Sequence, residues 1–148
     1  MSAHTSSLTW PAPGATPAAF TYATYSRDHV VTWGTGQTAA LSAAPEYKGN
    51  PALPNPEELL VGALSSCHML TFLAVAARKG LVVERYTDNA VGTLAKDERG
   101  VLCITEVVLH PVVTFAAPVD AAALAELHEQ AHKGCFIANS VRMPVRVG

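Results

Sequence analysis

The residues of this 148-residue chain best suited to chemistry are three cysteines, Cys67, Cys103 and Cys135, and the run His128-Glu129-Gln130-Ala131-His132. A cysteine reacts as its thiolate, and an ordinary thiol, with a pKa of about 8.5, is mostly protonated at neutral pH. A nucleophilic role for Cys67 or Cys135 therefore demands a cation or a base nearby. The histidine run matches H-E-x-x-H, which on a helix sets two zinc ligands one turn apart with a glutamate as general base. Catalytic zinc needs a third protein ligand, usually downstream, and the remaining sixteen residues contain no His, Asp or Glu. The run is thus expected to be a solvated helix face. A metal module built from Cys67, His68, His132 and Cys135 stays open, because His132-x-x-Cys135 has chelating spacing although the other pair is adjacent.

The elements that must position these groups follow from local signals. Asn55 can cap a helix, Pro56 suits its first position, and Glu57 and Glu58 complement the dipole. Lys79-Gly80 is a stop. Between them, residues 59–77 carry no Asp, Glu, Lys or Arg and are apolar around nearly the whole circumference, which predicts a core helix buried on every side. Such a run is long enough to cross a bilayer. Gly62, Ser65, Ser66, His68 and Thr71 dilute it, and soluble β structure follows, so no membrane partner is expected. Cys67 sits in the middle of this helix, where a free cysteine is by default a small core residue. The same default applies to Cys103, in a strand. His68 points about 100° away from Cys67 and is expected to be a core histidine.

Residues 1–20 lack both the positive region and the continuous apolar region of a secretory signal and are expected to be a loose leader of a cytoplasmic protein. Residues 22–41 suggest a hairpin, and 42–56, with four prolines before Pro56 or at it, a long loop. Residues 81–96 and 100–115 alternate in β fashion around the turn Asp97-Glu98-Arg99-Gly100 and predict a long antiparallel hairpin. Asp120 caps a second helix over 121–132, ended by Lys133-Gly134, with Cys135 just beyond it; 141–147 makes a last strand. The order predicts an α+β fold in one domain, residues 21–148.

Composition narrows the partners. With 49% hydrophobic and 15% charged residues the chain is apolar for its size, so some apolar surface is expected to face another subunit. A formal charge of -2 and the lack of any basic run argue against nucleic acid. Three cysteines make no even disulfide framework, which fits reduced thiols.

Two stretches resemble a known family. Asn55-Pro56-Glu57-Glu58-Leu59-Leu60, with Ala63 before Ser65-Ser66-Cys67, is similar to the signature of the OsmC/Ohr proteins, the osmotically inducible and organic hydroperoxide resistance proteins. Ala131-His132-Lys133-Gly134-Cys135, followed by Asn139-Ser140 and a closing strand, resembles their second cysteine motif. The likeness spans about residues 25–147. It implies antiparallel sheets wrapped around two long central helices in an intertwined homodimer. It also implies a thiol peroxidase that reduces organic hydroperoxides, with Cys67 peroxidatic, Cys135 resolving, Glu57 the acidic residue and Arg27, in Tyr25-Ser26-Arg27-Asp28-His29, the arginine. An external dithiol resets such an enzyme, and no cofactor or metal is called for. Phe136 stands where proline often follows the second cysteine, and His68 follows the first, so subfamily and substrate stay open. Glu57 and Cys67 are ten residues apart on one helix, hence roughly 15 Å along it and about 80° around it, so they cannot meet directly on a straight helix. Two rivals remain: a dimer of the same fold that binds an apolar ligand without catalysis, and the metal module.

Overall fold

The computed structural model describes residues 1–16 and 19–148. The chain is α+β, with two long helices and three small sheets. It packs as two compact units, Met1–Leu59 and Leu60–Gly148, and the division falls inside the first helix.

In the first unit, β1 (Ser6–Thr9), β2 (His29–Trp33) and β3 (Thr38–Leu41) form an antiparallel sheet in that order. The β2–β3 hairpin is the one the sequence predicts. Part of the leader, however, is not loose: Ser6–Thr9 pairs with β2, from Ser6 opposite Trp33 to Thr9 opposite Val30. All four residues of this edge strand are exposed, so main-chain pairing and not side-chain burial holds it.

Beyond β3 the proline-rich loop turns through a short 3-10 helix, Pro45–Tyr47. The buried Ser42 hydroxyl accepts a hydrogen bond from Asn50 N at 3.0 Å, and Ser42 N donates to Pro54 O. Gly49 runs directly against the Ala43 backbone: a Cβ there would stand 1.6 Å from Ala43 O. Backbone cannot retreat as a flexible side chain can, so Gly49→Ala should destabilise the protein by about 2 kcal/mol or more, read as a lowered denaturation midpoint in urea.

Helix α1 (Pro56–Arg78) starts with a reciprocal capping box: Asn55 Oδ1 accepts from Glu58 N at 2.9 Å while Glu58 Oε2 accepts from Asn55 N at 3.0 Å. Its burial corrects the expectation of a helix covered on every side. In this chain only one stripe, Leu64, His68, Phe72 and Ala76, is buried, and Leu70 is 61% exposed. These four follow each other at four-residue spacing, one face of a helix.

In the second unit, β4 (Val83–Asp88) pairs with β7 (Pro111–Phe115), and β5 (Val91–Lys96) with β6 (Leu102–Leu109). Registers from Asp88↔Pro111 to Val91↔Val108 run on in step, so this is the predicted long hairpin with each arm interrupted. At the interruption Asp88 Oδ1 accepts from His110 N at 2.7 Å, taking a main-chain donor out of the ladder. A final strand, β8 (Val145–Val147), adds parallel to β6. Helix α2 (Ala121–Gly134) is capped by Asp120, which accepts from Ala123 N at 2.8 Å. Phe72 and Ala76 of α1 pack on Leu127 and Ala131 of α2, and Leu64 packs on Val107 and Leu109 of β6.

Candidate active site

The two helices of the second unit bring Cys67 and Cys135 together. Cys67 is at mid-length of α1, and Cys135 is the C-cap of α2, its N–H donating to His132 O at 3.2 Å. The helices run antiparallel at this contact. Gly134 lies so close to α1 that a Cβ there would be 3.0 Å from Thr71 Cγ2, and further along Lys79 Nζ meets Glu126 Oε1 at 2.9 Å. Cys135 is buried and its sulfur accepts from Ala138 N at 3.4 Å. Burial, then hydrogen bonding with the Cys67 thiol, pushes the Cys135 thiol above its ordinary value. The two thiols are thus near enough to influence each other. Cys67 is half-buried and opens onto a cavity of about 790 Å³ whose wall also includes Leu70, Thr71, Arg78, Gln130 and Phe136. Such a space takes an apolar body and leaves few polar groups to meet.

Arg78, one residue before the predicted Lys79-Gly80 stop, lines this cavity and has no role in the sequence reading. The signal was present, since eleven residues bring a helix to within about 20° of the same face as Cys67. Cys103 faces Ala95 across the β5–β6 ladder, half-buried and apart from this pair.

In the first unit, Arg27 and Glu57 line one cavity of about 490 Å³, together with Trp10, Phe20, Tyr25 and Tyr47. Within the chain, and among the described residues, there is no ion pair between them. Two main-chain carbonyls nearby in sequence hold the guanidinium instead, with Nη1 donating to Tyr25 O and Nη2 to Tyr22 O at 2.5 and 2.6 Å. Its carbon lies 3.7 Å from the centre of the Tyr25 ring, a cation–π arrangement. Arg27 Nε is buried without a partner, which leaves one donor uncommitted.

The histidines depart from the sequence reading in one respect. His68 is a core residue, 1% exposed, as predicted. His128 is not on a solvated face: its ring lies 4.6 Å from that of Phe72, and its Nδ1 is 3.1 Å from His68 Nε2. Only His132 of the H-E-x-x-H pair is exposed. Among the described residues, no three His, Cys, Asp or Glu side chains are gathered so as to hold a metal ion, and the set Cys67, His68, His132 and Cys135 is not assembled into one.

Comparison with known proteins agrees with this architecture. Residues 49–148 match the family model for OsmC-like proteins, and the chain belongs to that family. It is similar to an OsmC-like protein of unknown function from Vibrio cholerae, with 42% identity, TM-score 0.90 and coverage of 100% of this chain and 99% of that one. It has the fold of the organic hydroperoxide resistance protein OsmC from Legionella pneumophila, at 17% identity, TM-score 0.74 and coverage of 100% and 98%. An uncharacterized Bacillus subtilis protein, YmaD, is 26% identical over 106 residues, 70% of either chain.

Proposed function

We propose that this chain is a cysteine-based peroxidase that reduces organic hydroperoxides to alcohols. The observation that supports it most is the Cys67–Cys135 pair, one thiol buried and the other open to a largely apolar cavity. Family membership adds that hydroperoxide resistance proteins share the fold.

In the proposed cycle the Cys67 thiolate attacks the outer peroxide oxygen. The O–O bond breaks, the alkoxide leaves and takes a proton as the alcohol, and Cys67 becomes a sulfenic acid. Cys135 then attacks that sulfur, water departs, and a disulfide remains. An external dithiol reduces the disulfide and is itself oxidised. Arg27 is assigned the stabilisation of the thiolate and of the developing oxyanion, and Glu57 the acidic role that the family resemblance implies. An alkyl or aryl substituent gains from burial where water or hydrogen peroxide does not, which favours organic peroxides.

The working unit in this proposal is a homodimer in the cytoplasm. Much of α1 is apolar yet exposed in the single chain, with Leu59 and Leu70 among its outward residues. An exposed apolar helix of this length calls for a cover, and a second copy supplies one by symmetry.

The test is thiol counting after acid quenching, with purified reduced protein and cumene hydroperoxide. One equivalent of peroxide should lower the free thiols from three to one, and excess dithiothreitol should support continued peroxide loss well above the dithiol's own rate. Three thiols remaining, with no added consumption, would reject the peroxidase and leave a protein that binds an apolar ligand.

A further inference from the structure

We propose that His68 and His128 are positioning residues for the Cys67–Cys135 pair: uncharged, they hold the α1–α2 seam shut, and acid that charges them loosens it and slows disulfide closure.

The placement is specific. His68 directly follows Cys67, and it leaves α1 on the side that packs against α2. His128 precedes Cys135 by seven residues, so the two sit about 20° apart around α2 and about 10 Å apart along it. The same two helices are therefore joined at one level by histidines and at the next by thiols. The rings are stacked, with centroids 5.4 Å apart and planes 11° from parallel, and His68 Nε2 is 3.1 Å from His128 Nδ1. That distance requires one shared proton, with one nitrogen donating and the other accepting. If His68 Nε2 donates, its buried Nδ1 is a bare lone pair without a partner. Charging His68 puts a proton on that atom with nothing to receive it.

The surroundings give the cation little support. From α2, His132 contributes charge of the same sign; from β4, Tyr86 presents a buried hydroxyl without a partner, and Asp88 is the one nearby acid. Asp88 is already engaged, with Oδ2 accepting from Ser65 Oγ at 2.5 Å and Oδ1 from His110 N. Phe72 closes the pair from the apolar side. Burial first, then the charges of His128 and His132, pushes His68 down to about 4 from an ordinary 6.5, against the opposing pull of Asp88. Burial lowers His128 as well. An opened seam binds protons at the ordinary value and a shut one does not. The contact is thus at full strength above pH 6.5 and is lost progressively as the pH falls towards about 4.

The inference rests on Cys67 and Cys135 acting as the redox couple, but its test replaces peroxide with dithiodipyridine, so failure of the peroxidase proposal would show separately. In a Cys103→Ser background, Cys67 thiolate attacks the reagent and releases one thiopyridone. Cys135 then displaces the second from the mixed disulfide, and each release is seen by absorbance. The closure rate of the histidine-containing protein, divided by that of His68→Gln, should be flat above pH 6.5 and fall at least tenfold by about pH 4. His128→Gln should weaken the same acid limb, because His68 stays buried but loses the second charge, and this guards against misfolding of one variant. A ratio independent of pH for both variants would overturn the proposal.

Discussion

Serine in place of Cys67 is expected to reduce cumene hydroperoxide turnover to the background rate of the dithiol, a loss of about a thousandfold or more. A serine hydroxyl is no nucleophile towards a peroxide without the thiolate's charge and polarisability, and among the described residues no other thiol opens onto the same cavity. Cys135→Ser should give a different failure. Attack at Cys67 still proceeds once, but the sulfenic acid then lacks its partner and persists, where dimedone captures it as a mass increase on that residue. With more peroxide it passes to the sulfinic acid. Cys103→Ser should leave both behaviours as they are. Equal turnover in Cys67→Ser and the unmodified protein would end the assignment of Cys67.

The second large effect is expected at Arg27. Two of its nitrogens are spent on the Tyr22 and Tyr25 carbonyls and its flat face lies on Tyr25, so the side chain is held before any substrate arrives. Its unpartnered Nε adds a donor that need not reorganise. Removing one preorganised donor of this kind costs about a hundredfold or more in rate. Arg27→Gln should therefore lower kcat/KM for cumene hydroperoxide about a hundredfold while circular dichroism stays unchanged. Arg27→Lys should recover little, because an ammonium has neither the planar face nor the forked donors. Undiminished kcat/KM in Arg27→Gln would remove Arg27 from the mechanism and leave Cys67 untouched.

Much of this architecture is legible in the sequence because it depends on local chemistry. Asn55 and Glu58 announce the start of α1 and then form the hydrogen bonds that make it start there. Asp120 does the same for α2. The pairing of residues 83–96 with 102–115 follows from one turn, Asp97 to Gly100, where Asp97 N donates to Val101 O. What escapes is long-range. Asp88 breaks the hairpin because His110, twenty-two residues away, presents its N–H to it. His128 reads as solvated until Phe72 and His68, from a helix some sixty residues earlier, are found against it. The apolar circumference of α1 does not distinguish burial in its own chain from burial against another, and this chain covers only one stripe of it. Ser6–Thr9 carries no apolar pattern at all, since an edge strand held by its main chain needs none.

The two cysteines are near each other in space but far apart along the chain. Joining them would tie off a loop of about seventy residues, nearly half of the polypeptide. A link of that span removes enough freedom from the unfolded chain to favour the folded one by about 4 kcal/mol, or roughly 10 °C in Tm for a protein of this size. Oxidised and reduced forms should accordingly separate in a thermal melt with and without a phosphine reductant. The disulfide-linked form is then the more heat-resistant of the two, so the melt itself reports which state the thiols are in.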